Sequence, residues 1–156
     1  MRGIEADVLP TRARHGMAVM SYSPLAGGWL SGRWRKDSGQ QASSRASRLP
    51  ERFDVANPYN QRKLDAVEEL AQLADRAGLT LIQLAIGFAK SHPAITSPLI
   101  GPRTMEQLET QLAAADIVLT DDVLDRIDEI VPPGTTVNPA DSSFDNPALP
   151  AAARRR

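Results

Sequence analysis

Two stretches in the middle of the chain carry apolar side chains at the spacing of an α-helix. Over residues 60–77 the apolar positions fall on one stripe, which predicts an amphipathic helix that ends at the following glycine. Over residues 80–91 the apolar positions surround almost the whole helix, which predicts burial on several sides. These two helices are therefore expected to form the centre of the protein.

Three shorter helices are predicted around this pair. Residues 5–16 form one of them, with Val8 and Leu9 turned inward and basic residues in the last turn, where they favour the helix dipole. Thr104 and Thr120 each precede a further apolar pattern at helical spacing, and a threonine in that place is typical of a helix N-cap.

Two short apolar runs predict buried strands, because each is brief and is followed by proline or glycine. They cover residues 17–22 and 95–100. Residues 34–58 show little apolar periodicity and predict a long loop, and residues 135–156 predict an irregular tail. Helices alternating with strands indicate an α/β fold. Since two parallel strands do not form a stable sheet alone, we expect part of a larger α/β architecture.

The length and amino-acid composition of the chain exclude a complete barrel and several classes of function. The 156 residues are fewer than the roughly 250 that a complete (β/α)₈ barrel needs. Eighteen Lys and Arg against 19 Asp and Glu argue against bulk binding to nucleic acid or to an acidic membrane. The chain has no cysteine and two isolated histidines, so thiolate chemistry is excluded and a metal site is not expected. We expect a cytoplasmic protein without a membrane span.

Two segments carry candidate chemistry, and each follows a predicted strand. Residues 20–32 read MSYSPLAGGWLSG, a small-residue turn in which backbone N–H groups can approach a ligand. Residues 100–108 read IGPRTMEQL, in which Gly-Pro-Arg stands directly before a helix N-terminus, a combination suited to an anion. Taken singly, each also fits an ordinary strand–turn–helix connection. Together they match the phosphate-binding loops after strands seven and eight of a (β/α)₈ barrel.

With these segments, the chain resembles the C-terminal half of the aldo-keto reductases over roughly residues 4–140. The resemblance rests on the two turns and on two flanking segments, EADVLPTRARHG and LTDDVLDRIDEIVPPG. It implies an incomplete (β/α)₈ barrel, in which residues 1–134 form a partial reductase domain containing strands seven and eight. Residues 135–156 would then be the tail that follows this domain.

The resemblance assigns the first turn to the nicotinamide and pyrophosphate end of a cofactor. Tyr22 stands where the family stacks an aromatic ring on the nicotinamide. Ser23, Leu25 and Gly27 match the turn whose backbone and hydroxyl hold the pyrophosphate.

The resemblance assigns the second turn to the adenosine end. Gly101, Pro102 and Arg103 match the loop around the 2′-phosphate, and Gln107 and Gln111 match positions near the adenine. The cofactor implied is NADPH rather than NADH, because the guanidinium of Arg103 can pair with the extra phosphate.

In the family, the catalytic Asp, Tyr, Lys and His lie on the first four strands, and this chain starts at about the end of the sixth. We therefore expect the cofactor-binding half of an NADPH-dependent carbonyl reductase, inactive alone. The alternative is a non-catalytic protein that pairs with a complementing chain or with itself. A hydrolase triad of Ser23, His15 and Asp141 is disfavoured because the G-x-S-x-G elbow is missing.

Four aromatic residues flank the predicted long loop, and their role stays open between core packing and a substrate-side lid. They are Trp29, Trp34, Phe53 and Tyr59.

Overall fold

A computed structural model of the protein describes residues 1–39, 41, 43–142 and 150–153, and these residues contain seven α-helices, two parallel strands and four short 3₁₀ segments. The strands are β1 (Met20–Tyr22) and β2 (Ser97–Leu99). The helices are α1 (Val8–Arg14), α2 (Ser44–Arg48), α3 (Pro50–Phe53), α4 (Pro58–Arg76), α5 (Leu81–Ser91), α6 (Met105–Leu112) and α7 (Asp121–Ile130). In these residues, no helix is long and apolar enough to cross a membrane.

The long helices α4 and α5 form the centre of the fold, as their apolar patterns predict. The N-terminus of α5 is closed by a reciprocal capping box: the Gln83 N–H donates to the Thr80 hydroxyl (3.1 Å), and the Thr80 N–H donates to the Gln83 side-chain oxygen (2.9 Å). Gly87 allows a close approach in the middle of α5, since a Cβ there would lie 3.3 Å from Leu119 Cγ. The glycine therefore lets the segment before α7 pack directly on this helix.

The sheet consists of β1 and β2 side by side, with Tyr22 opposite Leu99 in parallel register. Both strands lie within the predicted ranges but are only three residues long. One face of the pair is open: Met20 and Tyr22 are each 67% exposed, and Leu99 is also exposed. On the opposite face, the hydroxyl oxygen of Ser21 is buried and has no hydrogen-bond partner among the described residues. A sheet this small leaves backbone groups at its edges for further pairing.

The prediction of a long loop over residues 34–58 is wrong in part. A 3₁₀ turn at Lys36–Ser38 and the helices α2 and α3 occupy much of this range. The Ser43 hydroxyl accepts the Ala46 N–H (2.9 Å) and caps α2, while the Phe53 side chain is buried. These helices are too short for a periodic apolar pattern, so contacts with the rest of the fold stabilise them.

Two details at the ends of other helices also differ from the predictions. Val8 is 50% exposed whereas Leu9 is buried, so only one of the two faces the core. Thr120 precedes α7, but its side chain makes no capping hydrogen bond.

The tail predicted to be irregular contains a 3₁₀ turn at Pro139–Asp141. Residues 143–149 and 154–156 of that tail lie outside the described residues.

Candidate functional site

The two candidate turns leave the sheet at the same edge. Because β1 and β2 are parallel and Tyr22 pairs with Leu99, the chain emerges from both strands side by side. The carboxyl edge of parallel strands is where open and closed α/β sheets bind ligands. The pairing therefore brings together the two segments that the sequence singles out for an anion.

The first turn follows β1 and is built from a run of left-handed backbone conformations. Ser23 and Ala26 have positive φ angles (58° and 49°), and so do Gly27 and Gly28 (72° and 111°). The Ser23 hydroxyl accepts the Gly27 N–H at 3.0 Å, and the Leu25 carbonyl accepts the Gly28 N–H at 2.8 Å. Strained conformations of this kind concentrate at ligand-binding turns, and Ser23 here holds the turn in shape.

An arginine that the sequence analysis did not single out lies beside this turn. A guanidinium nitrogen of Arg45, on α2, is 3.6 Å from the point that a Cβ on Gly27 would occupy. The Phe53 ring approaches the same point to 3.3 Å. The serine cap of α2 is the signal that could have located Arg45, because it predicts a helix turn inside the supposed loop. The Arg45 guanidinium thus gives this turn a cation that can pair with an anion.

The second turn runs from β2 into α6. The Thr104 hydroxyl accepts the Gln107 N–H (3.2 Å), while the Gln107 side-chain oxygen accepts the Arg103 N–H (2.9 Å). These bonds close the helix start and leave the Arg103 side chain exposed. Gly101 is also exposed, and no described atom lies within 4 Å of the Cβ it lacks. The turn thus offers a guanidinium and a helix N-terminus with open space before them.

The predicted adenine contacts differ in their surroundings. Gln107 is half-buried and engaged in closing the N-terminus of α6. Gln111, one turn further along α6, is only 8% exposed. Pro102 is half-buried between the two exposed residues of its turn.

A buried cluster lies beneath the first turn. Lys63 of α4 is 7% exposed, and its ammonium donates to the Asp141 carboxylate (3.0 Å) and to the Arg52 carbonyl (2.9 Å). The same ammonium stands 4.5 Å from the centre of the Trp29 ring. Burial lowers the pKa of Lys63, and the charge of Asp141 opposes that shift. Asp141 is therefore bound to basic partners, an arrangement unlike that of a hydrolase triad.

The aromatic residues near the cluster pack against one another. Trp29 and Trp34 stack with ring centres 4.3 Å apart, and Phe53 lies 6.0 Å from each of them. All three are buried, whereas Tyr59 is exposed at the start of α4. Core packing therefore accounts for three of the four.

The histidines have local roles at helix ends. His92 Nδ1 accepts the Ala94 N–H (3.1 Å) after α5, and the backbone N–H of His15 donates to the Thr11 carbonyl (3.2 Å) after α1. Across the described ranges, no three His, Cys, Asp or Glu residues are grouped as metal ligands.

A sequence profile described as the aldo/keto reductase family matches residues 2–132. The chain belongs to the aldo-keto reductase family. It is 32% identical over 131 residues to the uncharacterised oxidoreductase YrpG of Bacillus subtilis, and the match covers 84% of this chain and 37% of that protein. It is 33% identical over 137 residues to a probable voltage-gated potassium channel subunit beta of Arabidopsis thaliana, covering 82% and 39%.

The family is also recognisable in three dimensions. The glycerol dehydrogenase AKR11B4 of Gluconobacter oxydans superimposes with a TM-score of 0.69 at 25% identity, covering 83% of this chain and 38% of that structure. The chain thus spans about two fifths of the length of these three proteins. The resemblance noted in the sequence and the α/β fold class are confirmed, and the relatives include oxidoreductases.

Proposed function

We propose that this chain is the cofactor-binding portion of an NADPH-dependent aldo-keto reductase, with β1 and β2 as strands seven and eight of a (β/α)₈ barrel. The observation that carries the proposal is the parallel pairing of Tyr22 with Leu99, which brings the two turns proposed to bind anions to one edge of the sheet. The charged groups fit a dinucleotide, since the Arg45 guanidinium stands at one turn and the exposed Arg103 at the other.

In this proposal, the first turn holds the pyrophosphate and the nicotinamide. Ser23 fixes the turn through its bond to the Gly27 N–H, and Leu25 sets the start of the 3₁₀ segment that follows. Arg45, which lies beside Gly27, supplies the counter-charge for a phosphate, and Gly28 leaves space next to it, since no described atom lies within 4 Å of the Cβ it lacks. Tyr22, on the open face of the sheet, offers its ring as the stacking surface.

The second turn would hold the adenosine. Arg103 pairs with the 2′-phosphate, while Gly101 and Pro102 leave room for it before the helix N-terminus. Gln107 and Gln111 are the side chains of α6 proposed to lie near the adenine. A bound NADPH supplies a hydride for an aldehyde or ketone, and the role of this chain is to bind and orient that cofactor. The proton donor and its partners would belong to the first four strands, so we expect no turnover from this chain alone.

The proposal is tested by titrating NADPH and NADH against the wild-type chain and the Arg103→Ala variant. Losing a charge-assisted bond to phosphate should weaken NADPH binding roughly 10- to 100-fold, from about 1.5–3 kcal/mol. NADH binding should change little. The control is Arg14→Ala, which removes an exposed arginine from α1. An equal loss of affinity for both cofactors would show that Arg103 does not read the 2′-phosphate.

A second candidate function is supported by the open face of the sheet. Met20, Tyr22 and Leu99 expose apolar surface there, although surfaces of this kind are normally covered. We propose that strands from a complementing chain, or from a second copy, cover this face and pair with the sheet edges. One relative is named as a channel subunit, which is compatible with a role in assembly.

A further inference from the structure

The segment Asn138–Asp141, called the strap below, lies across α3 and α4 and is anchored by buried polar groups. Asn138 is almost fully buried, and its side-chain amide donates to the Asn60 side-chain oxygen (2.7 Å) and to the Glu51 carbonyl (3.1 Å). Asp141 accepts from Lys63 at 3.0 Å and from Arg52 Nε at 3.3 Å. The strap therefore holds both helices at once.

The helix α3 depends on these anchors for its position. It has four residues, too few to be stable by itself. The Arg52 carbonyl at its end accepts from Lys63 Nζ (2.9 Å) and from Trp29 Nε1 (3.3 Å), and the Asp54 carbonyl accepts from Asn60 (2.9 Å). The orientation of α3 is thus set by donors from α4, from the strap and from the aromatic stack.

Phe53, the last residue of α3, contacts the first turn and so links the position of α3 to the shape of that turn. The Phe53 ring lies 3.3 Å from the point where a Cβ on Gly27 would stand, and it stacks on Trp29, which belongs to the same turn as Gly27. A shift of α3 would therefore remove the support under the glycine backbone. The contacts form one continuous path from Asp141 through Lys63 and Phe53 to Gly27.

The ion pair between Lys63 and Asp141 serves to fix the arrangement of the elements around it more than to stabilise the fold. A buried ion pair gives little net stability, because removing two charges from water offsets their attraction. Lys63 nonetheless pairs with Asp141 while its ammonium stands 4.5 Å from the centre of the Trp29 ring and 5.7 Å from that of Phe53. Such pairs are well suited to fix one arrangement of the elements they join, and here those elements are the strap, α3 and α4.

We propose that the strap positions the first turn for its ligand, so that docking of Asp141 on Lys63 and Arg52 sets the affinity of that turn for the pyrophosphate of a dinucleotide. Asp141 and Lys63 are then positioning residues that act through Phe53. This inference rests on the proposed function, because it assumes that the first turn holds a pyrophosphate. Binding at the turn and docking of the strap must favour each other by the same factor.

The experiment compares two nucleotides that differ in the turns they use. NADPH would engage both turns, whereas adenosine 2′-monophosphate lacks the pyrophosphate and would engage the second turn only. In the Asp141→Asn variant we expect NADPH to bind about tenfold more weakly, within the usual range of coupling between sites. Binding of adenosine 2′-monophosphate should stay within about twofold of the wild type. The double variant Lys63→Gln/Asp141→Asn removes the same docking contact and should also bind NADPH about tenfold more weakly than the wild type.

The matched control is Asp65→Asn, which breaks an exposed ion pair between α4 and Lys36 (2.7 Å) and leaves the strap intact. It should bind both nucleotides as the wild type does. An Asp141→Asn variant that keeps full NADPH affinity, or that loses affinity for both nucleotides equally, would overturn the proposal.

A measurement on the unaltered chain covers the case in which Asp141→Asn does not fold. Amide hydrogen exchange at Ala140 and Asp141, whose N–H groups donate to Asn138, should slow when NADPH is added and not when adenosine 2′-monophosphate is added. Unchanged exchange with bound NADPH would refute the coupling. A wild-type chain that binds neither nucleotide would refute the proposed function. In that case the circular dichroism of the stacked Trp29 and Trp34 tests whether the strap positions the first turn. An unchanged signal in Asp141→Asn would show that it does not.

Discussion

Replacing Gly27 by alanine perturbs the turn at the point where it is most tightly supported. The backbone there has φ 72° and ψ 9°, and an added Cβ would meet the Phe53 ring at 3.3 Å. Gly32 is a matched control, with φ 86° and ψ −5° and no described atom within 4 Å of its missing Cβ. The two substitutions therefore share the backbone strain and differ in the contact.

Backbone strain and the contact with Phe53 together set the expected loss in the free energy of unfolding. A non-glycine residue in the left-handed region costs about 1–2 kcal/mol, and both variants bear that cost. Only Gly27→Ala must also displace Phe53, which is buried against Trp29 and Trp34, and overpacking of this kind costs about 1–3 kcal/mol. We therefore expect the free energy of unfolding to be lower for Gly27→Ala than for Gly32→Ala by at least about 1 kcal/mol.

Urea denaturation followed by tryptophan fluorescence measures this difference. The chain has two tryptophans, and both lie in the aromatic stack beside the turn. With a urea slope of about 2 kcal/mol per M, the midpoints should differ by about 0.5 M or more. Equal midpoints, or a more stable Gly27→Ala, would show that Phe53 does not support this glycine as described.

Two other predictions concern charge and the open sheet. Paired hydrogen bonds from Arg35 (2.7 and 2.9 Å) lower the pKa of Glu68 from its ordinary 4.5 to about 2, so their stabilisation is complete above pH 4.5 and is lost as the pH falls toward 2. Glu68→Gln should remove about 1 kcal/mol of that pH-dependent stability, whereas Glu69→Gln, at an exposed contact, should leave the acid profile unchanged. In the isolated chain, the amides of β1 and β2 should exchange much faster than those of α4, because the described strands are short and lie at the edges of the sheet. Strand amides as slow as those of α4 in a monomer would contradict the need for covering strands.

The sequence by itself determined those elements whose apolar spacing, caps or turn residues lie within a few neighbouring positions of the chain. The apolar stripe of α4 and the nearly uniform apolar surface of α5 predict these helices at close to their observed bounds. The hydroxyl residues before α5 and α6 cap them, because a cap needs only a side chain and the next turn of backbone. The two turns were also visible, since their glycines and the Gly-Pro-Arg segment act over a few residues.

The tertiary structure decided the features that depend on distant partners. The helices α2 and α3 carry no periodic pattern, and α3 is held by donors from α4 and from the strap. Lys63 looks like a solvent-facing residue of an amphipathic helix, and only the return of the chain at Asp141 turns it into a buried ion pair. Arg45 reaches Gly27 because α2 folds back over the turn. Such contacts join residues far apart in the chain, so no window of neighbouring residues contains the information that predicts them.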